Sequence, residues 1–286
     1  VVELACPAHK KKSRRGQDLP GTLAPSYRIT GGTPVGSISA DDGLWFRRYH
    51  TSGEDGLQLV CFPHAGGSAS FFRPLSGALS PMVEVLAVQY PGRQDRRAER
   101  RLENISELAD ATFDALTSRL DRPTALFGHS MGAVLAFEVA NRMEHRKGTV
   151  PVRLFASGRR APSRYVEENV HQRDDEALVA ELRNLSGTDT RLLDDEEVRH
   201  MILPVLRSDY KAVETYCCPP DRSVGCPITV LVGDADPRVA RKDAEAWAEH
   251  TAAGLDLHIF SGGHFYLGTA WSEVCQVITA GLGPRR

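Results

Sequence analysis

Gly128-His129-Ser130-Met131-Gly132 is a G-x-S-x-G pattern lying between a short apolar run at 124–127 and a helix-patterned run at 131–143. A strand–Ser–helix turn of this kind lifts the hydroxyl clear of a sheet and aims the next backbone N–H, that of Met131, at a reacting carbonyl. A serine at its ordinary pKa is a poor nucleophile and needs a base that is itself held by a third group. His264, in Ser261-Gly262-Gly263-His264-Phe265 directly after the last strand-like run, is the best placed of the ten histidines; His64 and His129 fit as neighbours lining the site. For the acid, the apolar run 228–232 leads into Gly233-Asp234-Ala235-Asp236-Pro237. Asp236 lies past the turn and can reach a histidine, whereas Asp234 suits bracing of the loop and is the alternative acid. The run 152–156 ends in Ser157-Gly158-Arg159-Arg160 with no carboxylate, so the acid position after that strand is empty. A second oxyanion donor is expected from Pro63-His64-Ala65-Gly66-Gly67-Ser68, with Ala65 first and Gly66 second. The chemistry these residues fit is acyl transfer to Ser130 followed by hydrolysis.

Such side chains need a rigid frame, and the flanking sequence supplies one. Short apolar runs at 57–62, 83–89, 124–127, 152–156, 228–232 and 255–260 read as strands, and 105–120 and 131–143 read as helices from their apolar spacing. Strands alternating with helices predict an α/β fold, a mostly parallel central sheet with helices on both faces. Ligands of such sheets bind at the carboxyl ends of the strands, where the residues above lie. One stretch breaks the alternation. Residues 171–216 contain no credible strand but two helical segments, 175–185 and another beginning at Asp194 with Glu197 as a capping box and Pro204 as a kink. This predicts a helical lid at about 165–216.

Composition limits the alternatives. Lys and Arg number 35 against 37 Asp and Glu in 286 residues, a formal charge of −2, which removes the general electrostatic case for nucleic-acid or acidic-membrane partners. No apolar run approaches the roughly 18 residues of a membrane helix. Six cysteines form no regular framework and no C-x-x-C pair, and the basic run at 10–15 follows rather than precedes the first apolar residues, so a cytoplasmic setting is expected. Residues 1–42, rich in Lys, Arg, Gly, Pro, Ser and Thr, are expected to be a disordered extension, and 43–286 the folded domain.

The blocks PHAGGSAS (63–70), VQYPGRQDRR (88–97), FGHSMG (127–132), SGRRAPS (157–163), LSGTD (185–189), LRSDYKAVETY (206–216), GDADP (233–237) and GGHFYL (262–267) together resemble the type II thioesterases of modular polyketide and nonribosomal peptide pathways. The resemblance runs from about residue 45 to the end. It implies an α/β-hydrolase fold with a helical lid, and hydrolysis of stalled or aberrant acyl groups from the phosphopantetheine arm of acyl carrier proteins. It also implies Ser130, Asp236 and His264 as the catalytic triad, with Ala65 and Met131 at the oxyanion hole. No cofactor or metal is implied, because the pantetheine arm belongs to the substrate. Cyclising terminal thioesterases of the same superfamily tend to carry the acid after the preceding strand, where this chain has Arg-Arg-Ala-Pro, and that favours type II. Two rivals are a generic carboxylesterase of the same fold and a non-catalytic binding module. Carrier proteins are generally acidic, and Arg93, Arg96, Arg97, Arg100 and Arg101, with Arg159, Arg160 and Arg164, are expected to offer them a basic surface.

Overall fold

The computed structural model describes residues 40–52, 56–185, 193–219 and 221–283. In chain order these form α1 (Ala40–Trp45), β1 (Phe46–Arg47), β2 (Gln58–Phe62), α2 (Arg73–Leu79), β3 (Glu84–Val88), α3 (Ile105–Leu116), β4 (Thr124–His129), α4 (Met131–Arg142) and β5 (Leu154–Ser157). There follow α5 (Asp175–Leu185), α6 (Glu196–Glu214), β6 (Ile228–Gly233), α7 (Arg241–Glu245), β7 (Leu255–Phe260) and α8 (Leu267–Leu282). The expectation for residues 1–42 lies outside the described residues except where α1 takes in 40–42.

The seven strands form one sheet in the order β1-β3-β2-β4-β5-β6-β7, with β1 antiparallel to β3 and every other pairing parallel. Strands β2 to β6 are buried throughout, as expected where helices cover both faces. One face packs against α3 and α4 in a cluster that includes Val60, Leu126, Phe137 and Trp247. The other packs against α2 and α8 around Phe72, Phe127, Phe155 and Ile278. Helix α4 is buried along its whole length, which explains its near-continuous apolar sequence MGAVLAFEVA.

Register aligns the strand ends. Phe62 pairs with Gly128, His129 with Ser157, Ser157 with Leu231 and Gly233 with Phe260. The loops at 63–68, 130, 158–162, 234–238 and 261–266 therefore emerge side by side. The chain reverses direction across the sheet between β2 and β4, so the loop at 63–68 and the turn at Ser130 flank the switch point.

Helices α5 and α6 form an excursion between β5 and β6 with its own apolar cluster, including Leu178, Leu182, Leu206 and Tyr210. Helix α6 starts one residue later than the sequence suggested. Asp195, not Asp194, caps it by accepting from the N–H groups of Glu197 and Val198, and the helix continues through Pro204.

Candidate active site

Ser130 occupies φ +56° and ψ −118°, a left-handed conformation that costs a non-glycine residue energy and marks a sharp strand-to-helix turn. Its N–H donates to Ser157 O at 2.8 Å on the neighbouring strand, and its C=O accepts from Ala133 at 3.0 Å to open α4. The turn needs both of its glycines. A Cβ on Gly128 would lie 2.1 Å from Gly132 O, and one on Gly132 would lie 2.0 Å from Phe62 O.

His264 Nε2 lies 3.0 Å from Ser130 Oγ, and His264 Nδ1 lies 2.9 Å from Asp236 Oδ2. A carboxylate only accepts, so Nδ1 carries the proton and Nε2 is left to accept from the serine hydroxyl. The side chains of His264 and Asp236 are 4% and 0% exposed, which keeps water from competing for these contacts. Asp236 Oδ1 accepts from Arg238 N–H at 2.8 Å, fixing the carboxylate plane. Asp234 is engaged by backbone instead. Its N–H donates to Phe260 O and its Oδ1 accepts from Gly262 N–H at 2.9 Å, tying the loop after β6 to the one that carries His264.

Among the described residues, the amides of Ala65 and Met131 donate to no protein acceptor, whereas that of Gly66 is taken by Asp209 Oδ2 at 2.7 Å. Ala65 and Met131 therefore keep unused backbone donors beside Ser130, and Gly66 does not. Two further imidazoles flank the site. Burial, reinforced by the charges of His264 and Arg93, pushes His64 down to about 3. Burial likewise holds His129 well below the usual imidazole range. His129 Nδ1 contacts Ser157 Oγ at 2.9 Å, and Ser157 Oγ contacts Tyr266 Oη at 2.7 Å. Neither flanking ring carries charge at neutral pH, so neither repels an imidazolium at His264.

Ser130 and His264 open into a cavity of about 720 Å³ whose far wall is made by Leu182, Leu185, Met201, Ile202, Val205 and Leu206 of α5 and α6. The basic surface expected from the sequence is partly interior. Arg93 is 5% exposed and pairs with Asp209. Arg96 is equally buried, donates to Glu99 at 2.6 Å and lies over the Trp45 ring. Arg100 pairs with Glu107, Arg160 with Glu168 and Arg164 with Glu249. Arg97, exposed, and Arg101, which donates to Ser208 Oγ at 3.1 Å, line the cavity. Two residues of the site escaped sequence reasoning: Asp209, and Arg93 as its partner. The signal was present, because Asp209 falls in register with the apolar stripe of α6 at 198, 202, 205 and 206, and a carboxylate on a buried stripe calls for a partner.

A mostly parallel sheet with its switch point at β2/β4, a sharp G-x-S-x-G turn after β4 and hydrogen-bonded Ser, Asp and His in that chain order define the α/β-hydrolase class. Within that class the chain belongs to the thioesterase domain family, whose model matches residues 57–282. It is 49% identical over 243 residues to thioesterase PikA5 of Streptomyces venezuelae, a match spanning 85% of this chain and 86% of that protein. The type II thioesterase BorB from the borrelidin biosynthetic cluster superposes with a TM-score of 0.79 at 50% identity, over 84% of this chain and 98% of BorB. RedJ, a thioesterase from the prodiginine pathway of Streptomyces coelicolor, gives 0.77 at 36% identity, over 87% and 96% of the two chains. The chain is thus a type II thioesterase, a serine hydrolase acting on thioesters. No helix among the described residues is long and apolar enough to cross a membrane.

Proposed function

We propose that this protein removes stalled or aberrant acyl groups from the phosphopantetheine arm of acyl carrier protein domains in a modular synthase, in the cytoplasm. The observation that carries the reading is the hydrogen-bonded line Ser130–His264–Asp236 at the floor of a cavity with one apolar wall. Ser130 attacks the thioester carbonyl as His264 takes its proton, and Asp236 holds the imidazole tautomer and stabilises the imidazolium. The N–H groups of Ala65 and Met131 receive the oxyanion, each contributing about 3–4 kcal/mol to the barrier reduction by analogy with other hydrolases. The pantetheine thiolate leaves readily. His264 then activates a water that hydrolyses the acyl-enzyme.

In this reading the excursion of α5 and α6, within residues 165–216, is the lid, and the acyl chain lies against its apolar face. The arm enters past Arg97 and Arg101. Intact-mass spectrometry of a panel of acyl-loaded carrier proteins tests the proposal. Loss of the acyl mass with release of free acid, abolished in Ser130→Ala, is expected. Turnover of p-nitrophenyl esters with every acyl carrier protein left loaded would instead make the protein a carboxylesterase.

A further inference from the structure

The backbone just after Ala65 is held by the helical excursion. Gly66, at φ +76°, donates its N–H to Asp209 of α6, 143 residues later in the chain. One turn earlier on the same helix, Leu206 lies so close that a Cβ on Gly66 would sit 2.5 Å from its Cδ2. The Asp209 side chain is 1% exposed, and Arg93 pairs with the same Oδ2 while donating to Pro91 O at 2.9 Å. Among the described residues, Asp209 Oδ1 and Arg93 Nε are buried without hydrogen-bond partners, so one carboxylate oxygen carries both contacts. Burying an ion pair is seldom a gain in stability, and a backbone amide needs only a neutral acceptor. The charged acceptor makes the shorter and stiffer bond.

We propose that Asp209 is a positioning residue for the oxyanion hole. It fixes the Ala65–Gly66 peptide, and with it the direction of the Ala65 N–H, while Arg93 cancels a negative charge that would otherwise oppose the developing oxyanion. The inference rests on the assignment of Ala65 and Met131 as oxyanion donors. It makes the oxyanion hole conditional on the seating of α6, so that the lid and the chemistry are assembled by one contact.

The test uses the full chain, a small acyl-pantetheine thioester, and an alkylboronic acid whose tetrahedral adduct on Ser130 places an oxygen where the oxyanion forms. Asp209→Ala is expected to lower kcat and boronate affinity together by about tenfold to a hundredfold, with KM changed less than about threefold, since a misaimed donor loses part of what a deleted one would. Asp209→Asn keeps a neutral acceptor and is expected to lose only about threefold to tenfold. Arg93→Gln leaves the carboxylate uncompensated and is expected to lose more than Asp209→Asn, and the double variant Arg93→Gln/Asp209→Asn is expected to recover to the Asp209→Asn level. If Asp209→Ala fails to fold, the last three variants still decide the matter. Unchanged kcat and boronate affinity in folded Asp209 variants would overturn the proposal. So would a rise in KM alone, or an Arg93→Gln loss no larger than that of Asp209→Asn. Turnover that survives Ser130→Ala would instead overturn the underlying mechanism, which separates the two failures.

Discussion

Ser130, Asp236 and His264 stand on loops rooted in adjacent strand ends, whereas the opposite wall of the cavity, α5 and α6, rests on a small apolar cluster and a fringe of ion pairs. Sheet register fixes the first region. Phe62, Gly128, Ser157, Gly233 and Phe260 are held by continuous parallel ladders, and the side chains of Ser130, His264 and Asp236 above them meet at 2.9 and 3.0 Å. The second region is tied down by Arg207–Asp175, Arg199–Glu176, Arg238–Glu181 and Lys211–Glu103, and it carries Met201 at 66% exposure. The three exposed pairs contribute about 0–1 kcal/mol each, whereas Arg238–Glu181 is largely shielded, with side chains 16% and 15% exposed. The Ser130–His264–Asp236 line is thus rooted in the sheet, and the proposed acyl-chain wall in helices held mainly by side-chain ties. Asp209 is the joint between the two.

The largest effects are expected from substitutions at the strand ends. Ser130→Ala is expected to lower kcat by about 10⁴–10⁶ with thermal stability kept, because in the proposed mechanism its hydroxyl forms the acyl-enzyme. Steady-state hydrolysis with a melting curve checks it, and near-normal turnover would show that the strand ends do not hold the nucleophile. Next in size, Asp236→Asn should cost on the order of 10³–10⁴ in kcat through loss of the tautomer-fixing acid. Asp234→Asn, which weakens only the brace to Gly262, should leave kcat within about tenfold and lower Tm by about 2–4 °C, the equivalent of one hydrogen bond. The reverse pattern would move the acid to Asp234.

Changes to the helical wall should act on selectivity. Met201→Glu places a charge on the apolar wall and is expected to lower kcat/KM for an octanoyl thioester by about fivefold relative to an acetyl thioester, the worth of about 1 kcal/mol of apolar contact. An unchanged ratio would mean that the acyl chain does not lie against α6. The prediction with the smallest expected effect on turnover concerns acid stability. His64 is held at about 3 in the folded protein against an ordinary 6.5. Its contribution is complete above pH 6.5, and below that the unfolded chain takes up a proton that the folded one refuses, so stability falls down to about pH 3. His64→Gln removes that linkage and should flatten the fall of the unfolding free energy, read from urea melts between pH 6.5 and 4.5, by up to about 1.4 kcal/mol per pH unit. An unaltered slope would show that His64 titrates normally.

Much of the frame was legible in the sequence because parallel strands buried on both faces leave short apolar runs that stop at glycine, proline or aspartate. The strand at 255–260 and the helix at 175–185 match their observed bounds, and the thioesterase resemblance matches the family found. Other elements hid for physical reasons. Helix α2, RPLSGAL, is too short and mixed to show a period, and β1 pairs through only two residues. The arginines after β3 looked like surface because composition cannot show that Arg93 and Arg96 fold inward onto Asp209, Glu99 and Trp45. Of the candidate site, the elbow and its partners could be proposed from local motifs, each next to a strand end. The Asp209–Gly66 contact spans the fold and no local pattern announces it.

The most direct test of the central claim, that thioester hydrolysis proceeds through Ser130, is titration with a fluorophosphonate followed by peptide mapping and residual-activity assay. One adduct per chain on Ser130, with acyl-carrier-protein hydrolysis falling in proportion to labelling, is expected. Full inactivation with the adduct elsewhere, or full labelling of Ser130 with turnover intact, would contradict it.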